Sequence, residues 1–222
     1  MKKAFTLIEL LVVIAIIAVL AGILFPVFTS AKGAAKGTVC LSNVRQLGLG
    51  MNLYLLDSDD TFPMDSHVGV QNSWVVQIQP YIKSKLLVRC PSDPSANFEN
   101  PLPSATQKRM TTYGVNYYMS QQDPFEASDV RGYTSLGKIE NPSNTIYSAE
   151  LAKNIVSEHF HPGLWYPDNM EGVVMFPSRE LAQTWHHGRT HYLFVDSHAK
   201  ALVFSHTFSG DKRIDLYDPR RN

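Results

Sequence analysis

The chain has 222 residues, of which 20 are basic and 20 acidic, and its formal net charge is zero. Such a balance argues against nucleic-acid partners, whose phosphates call for a basic surface. With 44% hydrophobic and 18% charged residues, the composition also excludes a disordered chain.

Residues 5–25 contain a single strongly polar side chain, Glu9. About 21 residues at 1.5 Å per residue make roughly 31 Å of helix, enough to cross a bilayer core. Lys2 and Lys3 precede the run and place the extreme N-terminus on the cytoplasmic side. A cleaved secretory signal and a plain membrane anchor both fit this pattern. Neither accounts for Glu9, because a carboxylate within an anchor costs about 2–3 kcal/mol on insertion scales.

Beyond the apolar run, Cys40, Val44, Leu47, Met51 and Tyr54 recur every three or four residues and form one apolar stripe. The spacing predicts one long helix with a membrane half at 5–28 and an amphipathic half at 29–57. A soft or bent segment is expected near Gly22 and Pro26. The polar break Asp57-Ser58-Asp59-Asp60 ends the helix, and residues 58–222 form the globular part. A short helix at 74–82 should turn Trp74, Ile78 and Tyr81 inward. Cys90-Pro91-Ser92-Asp93-Pro94 reads as a turn, and the stretch to Gln107 as loop. Strands are expected at 112–119, 145–149 and 173–176, with a closing hairpin of 192–195 and 200–204 around Asp196-Ser197-His198. Helix first and strands later imply an α+β fold, an antiparallel sheet with long loops packed on the N-terminal helix.

The two cysteines, Cys40 and Cys90, allow two readings. Outside the cytoplasm a disulfide closing a loop of about 50 residues would contribute roughly 4 kcal/mol. In the cytoplasm the pair would be two buried thiols.

The stretch Ala4-Phe5-Thr6-Leu7-Ile8-Glu9 resembles the processing site of type IV prepilins and type II secretion pseudopilins. That resemblance implies a leader of residues 1–4, a cut between Ala4 and Phe5, and an N-methylated Phe5. The family usually has Gly before the cut, and Ala4 departs from that. Pro26 matches a helix-disturbing proline common in the family. The resemblance also gives Glu9 a purpose: in a filament it would pair with the Phe5 ammonium of a neighbouring subunit. A buried charge that finds such a partner is tolerated and fixes register.

A second resemblance is to a G-type-like subset of large pseudopilin-like proteins. It rests on Cys40–Gly48 as Cys-x-Ser-Asn-x-x-Gln-Leu-Gly, on Phe62-Pro63, and on Trp74 with Pro80-Tyr81. Cys90-Pro91-Ser92, Tyr113-Gly114-Val115-Asn116 and a His-x9-Asp pair, His186 and Asp196, complete it. Ser197 stands where the subset has Gly. Together the resemblances imply a non-enzymatic structural subunit of a pseudopilus or type IV pilus-like filament. Its partners would be the inner membrane, a prepilin peptidase/N-methyltransferase and other pilin or pseudopilin subunits. Its globular part would face the periplasm or the exterior.

The alternative is a membrane-anchored module that binds a ligand or metal. His186, His187, His191, Asp196 and His198 could supply zinc ligands, His187 and His191 lying four residues apart. The hydrogen-bonding counterpart has His186 and Asp196 bracing the hairpin. Asp211, Asp215 and Asp218 are candidate calcium oxygens, diluted by Lys212, Arg213, Arg220 and Arg221. No nucleophile elbow and no glycine-rich phosphate loop is present, so neither catalysis nor a cofactor is expected.

Overall fold

The computed structural model describes residues 6–65, 73–101, 103, 107–120, 132–168, 173–211 and 213–220. The expected leader, Ala4 and Phe5 lie outside the described residues, as do Lys212 and Arg221.

Helix α1 (Leu7–Asp57) comprises 51 residues, about 77 Å at 1.5 Å per residue. Thr6 and Glu9 start it with a reciprocal capping box: the Glu9 carboxylate accepts from the Thr6 N–H (2.8 Å), and the Thr6 hydroxyl accepts from the Glu9 N–H (3.3 Å). The helix runs unbroken through Gly22 and Pro26, so the break in hydrogen bonding that proline imposes is absorbed without ending it. At the other end, Asp59 and Asp60 adopt left-handed backbone conformations (φ 49° and 57°). The Asp60 N–H there donates to the Leu55 carbonyl at 2.9 Å and closes the helix.

From Thr6 to Lys32 no described residue of α1 is buried, and the large apolar side chains between Leu7 and Phe28 lie open. Packing begins at Cys40 and continues through Val44, Leu47, Met51 and Leu55. Leu55, rather than the half-buried Tyr54, closes the buried stripe.

The sheet has five strands in the order β3-β1-β2-β4-β5: β1 (Tyr113–Asn116), β2 (Ile146–Glu150), β3 (His159–Phe160), β4 (Thr190–Phe194) and β5 (Ala199–Leu202). All pairings are antiparallel except β1 with β3, which is parallel. The architecture is thus the expected pilin-like α+β arrangement, a long N-terminal helix on a mostly antiparallel sheet. Both faces of the sheet are buried, which explains why β1, β2 and β4 lack exposed positions. One face meets α1 through Tyr147, Leu193 and Val195. The other carries a second core built on Phe160, Trp165, Phe208 and Tyr217.

Two expectations are corrected. Residues 173–176 form no strand; Val173, Val174 and Phe176 are exposed, and the run leads into α3 (Pro177–Glu180) with only Met175 packed on a core. Strand β3, too short to leave a pattern, occupies the edge instead. The short helix is also briefer than expected. Helix α2 (Trp74–Gln77) gives way to a 3-10 turn at Gln79–Tyr81, where Tyr81 is only half buried and reaches Asp57 with its hydroxyl (3.1 Å). Trp74 and Ile78 do face inward.

The closing hairpin shows why helix and sheet fit closely. Ser197 takes the left-handed position of its turn (φ 70°), and its hydroxyl lies 2.7 Å from Asn52 Oδ1 and 3.1 Å from the Gly48 carbonyl. A side chain at Gly48 would place its Cβ 2.6 Å from Leu193 and 3.0 Å from the Ser197 carbonyl. Gly48 therefore lets the hairpin lie on the helix, and serine at 197 exchanges glycine's backbone freedom for a bond across that contact.

Candidate functional site: the helix N-terminus and the cysteine collar

Two regions hold the chemistry. The first is the start of α1. Glu9 lies on an exposed helix end, and its carboxylate binds both the Thr6 N–H and the Thr6 hydroxyl (2.6 Å). In the isolated chain the charge is thereby occupied, at the positive end of the helix dipole. From Leu7 to Phe28 none of the described residues covers the apolar surface. The length and composition suffice to cross a membrane.

The second region lies where α1 enters the body. Cys40 and Cys90 form a disulfide, with a Cα–Cα distance of 5.0 Å, and both are buried. The link ties α1 to the segment that leads into β1. Neighbouring bonds hold the same segment: Asn43 donates to the Arg89 carbonyl (3.1 Å), and the Cys90 N–H donates to the Thr112 hydroxyl (3.0 Å). Replacing both cysteines with serine should lower unfolding stability by about 4 kcal/mol, the loop-entropy value for about 50 residues. Denaturant titration of the full chain in detergent, with the variant beside it, measures the difference.

Beside the disulfide stands Glu150, at the end of β2 and fully buried. Its carboxylate accepts from the His191 N–H (2.9 Å) and lies 2.8 Å from His186 Nε2 and 3.2 Å from His191 Nδ1. Burial alone would push the carboxyl's pKa up; the hydrogen bonds and charges of His186 and His191 outweigh it and hold the group below its ordinary 4.5. His186 Nε2 also lies 3.6 Å from Cys90 Sγ. The ring reaches this position because His186, His187 and Gly188 are three successive left-handed residues (φ 46°, 59° and 80°). For non-glycine residues that geometry costs about 1–3 kcal/mol each and is held only by its surroundings. Gly37 makes room: a Cβ there would sit 3.3 Å from the His186 ring.

Of the five hairpin residues expected to act together, His186 and His191 meet at Glu150. His187 is exposed on the turn, Asp196 holds the hairpin turn by accepting from the His198 N–H (3.1 Å) beside the His198 ring (2.6 Å), and His186 bonds to Glu150 instead of to the hairpin turn. Asp215 receives the Tyr166 hydroxyl (2.5 Å), Asp218 binds Arg220 (2.6 Å) and Asp211 binds Ser209 (2.6 Å), so each of these carboxylates serves its own neighbour. Glu150 was missed by sequence reasoning. A lone Glu just past the expected strand at 145–149 carries no spacing signal.

Cys40, Asn43, Leu47 and Gly48 line the seam against the sheet, and the Trp74 indole donates to the Glu158 carbonyl (2.9 Å). The Asn116 side chain donates to the Ile146 and Tyr217 carbonyls (2.9 and 2.8 Å) and ties β1 to β2 and to the C-terminal segment.

Residues 1–25 match the family model described as the prokaryotic N-terminal methylation motif, which marks type IV prepilin and pseudopilin-like proteins. The chain carries a prepilin-type N-terminus. No curated protein and no solved structure matches it. The motif ends inside the uncovered half of α1, so in this prepilin-like chain the matched segment and the exposed apolar helix coincide.

Proposed function

We propose that the chain is a structural prepilin-like subunit, cleaved after Ala4, methylated on Phe5 and assembled through α1 into a type II secretion pseudopilus or type IV pilus-like filament. The observation that carries this reading is the overlap of the methylation motif with a helix half that the subunit's own fold leaves bare. Before assembly, residues 5–28 reside in the inner membrane with the N-terminus cytoplasmic. Residues 29–57 and 58–222 lie on the periplasmic or outer side, where a disulfide persists. In the filament, neighbouring helices replace lipid along the same surface. A prepilin peptidase/N-methyltransferase and other pilin or pseudopilin subunits are the partners this requires.

N-terminal sequencing and intact mass of the native protein test the reading. The expected product begins at N-methylated Phe5. A start at Met1 or after Ala21 would show that no prepilin processing occurs.

A further inference from the structure

We propose that the reduced chain binds a zinc ion at Cys40, Cys90, His186 and Glu150, so that one buried site is closed either by a disulfide or by a metal. One ligand atom from each residue already lies within 4.8 Å of the other three. The set mixes two sulfurs, an imidazole nitrogen and a carboxylate oxygen, the donors zinc takes in closed tetrahedral sites. With metal–ligand distances of about 2.0–2.3 Å, tetrahedral neighbours stand roughly 3.3–3.8 Å apart. His186 Nε2 is 3.6 Å from Cys90 Sγ and 2.8 Å from Glu150 Oε1, so those edges need little adjustment. The two sulfurs must separate from bonding distance once they are no longer linked.

The setting is that of a built site. Cys40, Cys90 and Glu150 are buried, and only 5% of the His186 side chain is exposed. The left-handed turn aims the His186 ring at the cysteines and the carboxylate, a conformation more costly than a surface histidine needs. His191, whose N–H donates to Glu150 Oε2 and whose ring lies 3.2 Å from Oε1, fixes the carboxylate in the way outer partners orient metal ligands.

The chemistry balances with a dithiol as reductant. One of its thiolates attacks a cysteine sulfur and breaks the S–S bond, and its second thiol resolves the mixed disulfide. Two electrons pass to Cys40 and Cys90, which become thiols, and the reductant becomes a disulfide. Zinc then displaces two thiol protons to form two Zn–S bonds. Glu150 binds as carboxylate, and His186 binds through Nε2 with its ring proton on Nδ1. The metal spans α1 and the Cys90 segment, as the disulfide does, and adds β2 and the histidine turn. This holds whether or not the chain assembles into filaments.

The test uses the full chain in detergent, reduced with a phosphine under anaerobic conditions and titrated with cobalt(II). One equivalent should give the visible bands of tetrahedral cobalt and a thiolate-to-cobalt charge-transfer band, both removed by stoichiometric zinc. The oxidised chain should give neither. His186→Ala and Glu150→Gln, compared after their disulfide and native circular dichroism are verified in the oxidised state, should weaken binding beyond the roughly 10–100-fold typical of losing an outer partner. A folded, reduced chain that takes up no cobalt overturns the proposal. So does cobalt without a thiolate band, or undiminished binding in His186→Ala. If reduction unfolds the globular part, zinc should restore its circular dichroism; a reduced chain that neither binds nor refolds also overturns it.

Discussion

Replacing Glu9 with glutamine should leave the chain inserted and cleaved but absent from filaments. The structure makes glutamine more informative than alanine. Glu9 caps α1 by accepting the Thr6 N–H, and glutamine fills that role in a capping box equally well. Glu9→Gln therefore preserves the helix start and removes only the charge. If Glu9 exists to pair with the Phe5 ammonium of an adjoining subunit, the variant loses its partner, and filament incorporation should drop at least tenfold. Glu9→Ala should behave likewise, with a frayed first turn added. Shearing and quantifying subunits in the filament fraction, beside N-terminal sequencing of the membrane fraction, separates the roles. Normal incorporation of Glu9→Gln would mean that Glu9 is only a cap.

Glu150→Ala should be among the most damaging single changes in the globular part. It leaves the buried His191 N–H and two imidazoles without their shared acceptor. Removing one partner from such a buried group costs about 3–5 kcal/mol. For a body of this size that lowers Tm by on the order of 10 °C. Glu150→Gln keeps an acceptor for the N–H and should lose less. The pH dependence carries the same signature. A carboxyl whose pKa falls on folding contributes its stability in full above the ordinary 4.5 and loses it as pH drops through the lower folded value. The parent chain should thus weaken on acidification in that window more steeply than Glu150→Gln. Thermal melts of both across acidic pH measure the slopes, and parallel slopes would remove Glu150 from the account.

Much of this molecule is legible from its sequence because the signals are long. An uninterrupted apolar run with one carboxylate, followed by a stripe from Cys40 to Met51, specifies a helix whose halves live in different surroundings. The sequence alone leaves the cysteine pair open between thiols and a disulfide, and the structure joins it. What escaped depends on contacts between distant segments. Residues 173–176 are as apolar as a buried strand yet pair with no neighbour in the sheet, whereas two residues of β3 suffice because Val115 and Asn116 already offer an edge. The inward turn of His186 rests on three consecutive left-handed residues, of which only Gly188 announces itself. Glu150 gains its meaning from His186 and His191, both more than thirty residues away.

The position of the disulfide has a mechanical consequence. Past the close approach of Gly37 to His186, Cys40 is the first buried residue of α1, so a pull on the protruding half loads it before Val44, Leu47 or Met51. Without a covalent tie, tension at that point would peel the helix away one side chain at a time, each contact bearing the whole force in turn. With Cys90 tied to Cys40, the pull passes through the bonds that Val88 and Cys90 make with Thr112 to the start of β1 and is shared across the sheet. If the chain is drawn out of a bilayer by its helix, as the proposed assembly requires, it is strengthened where peeling would begin.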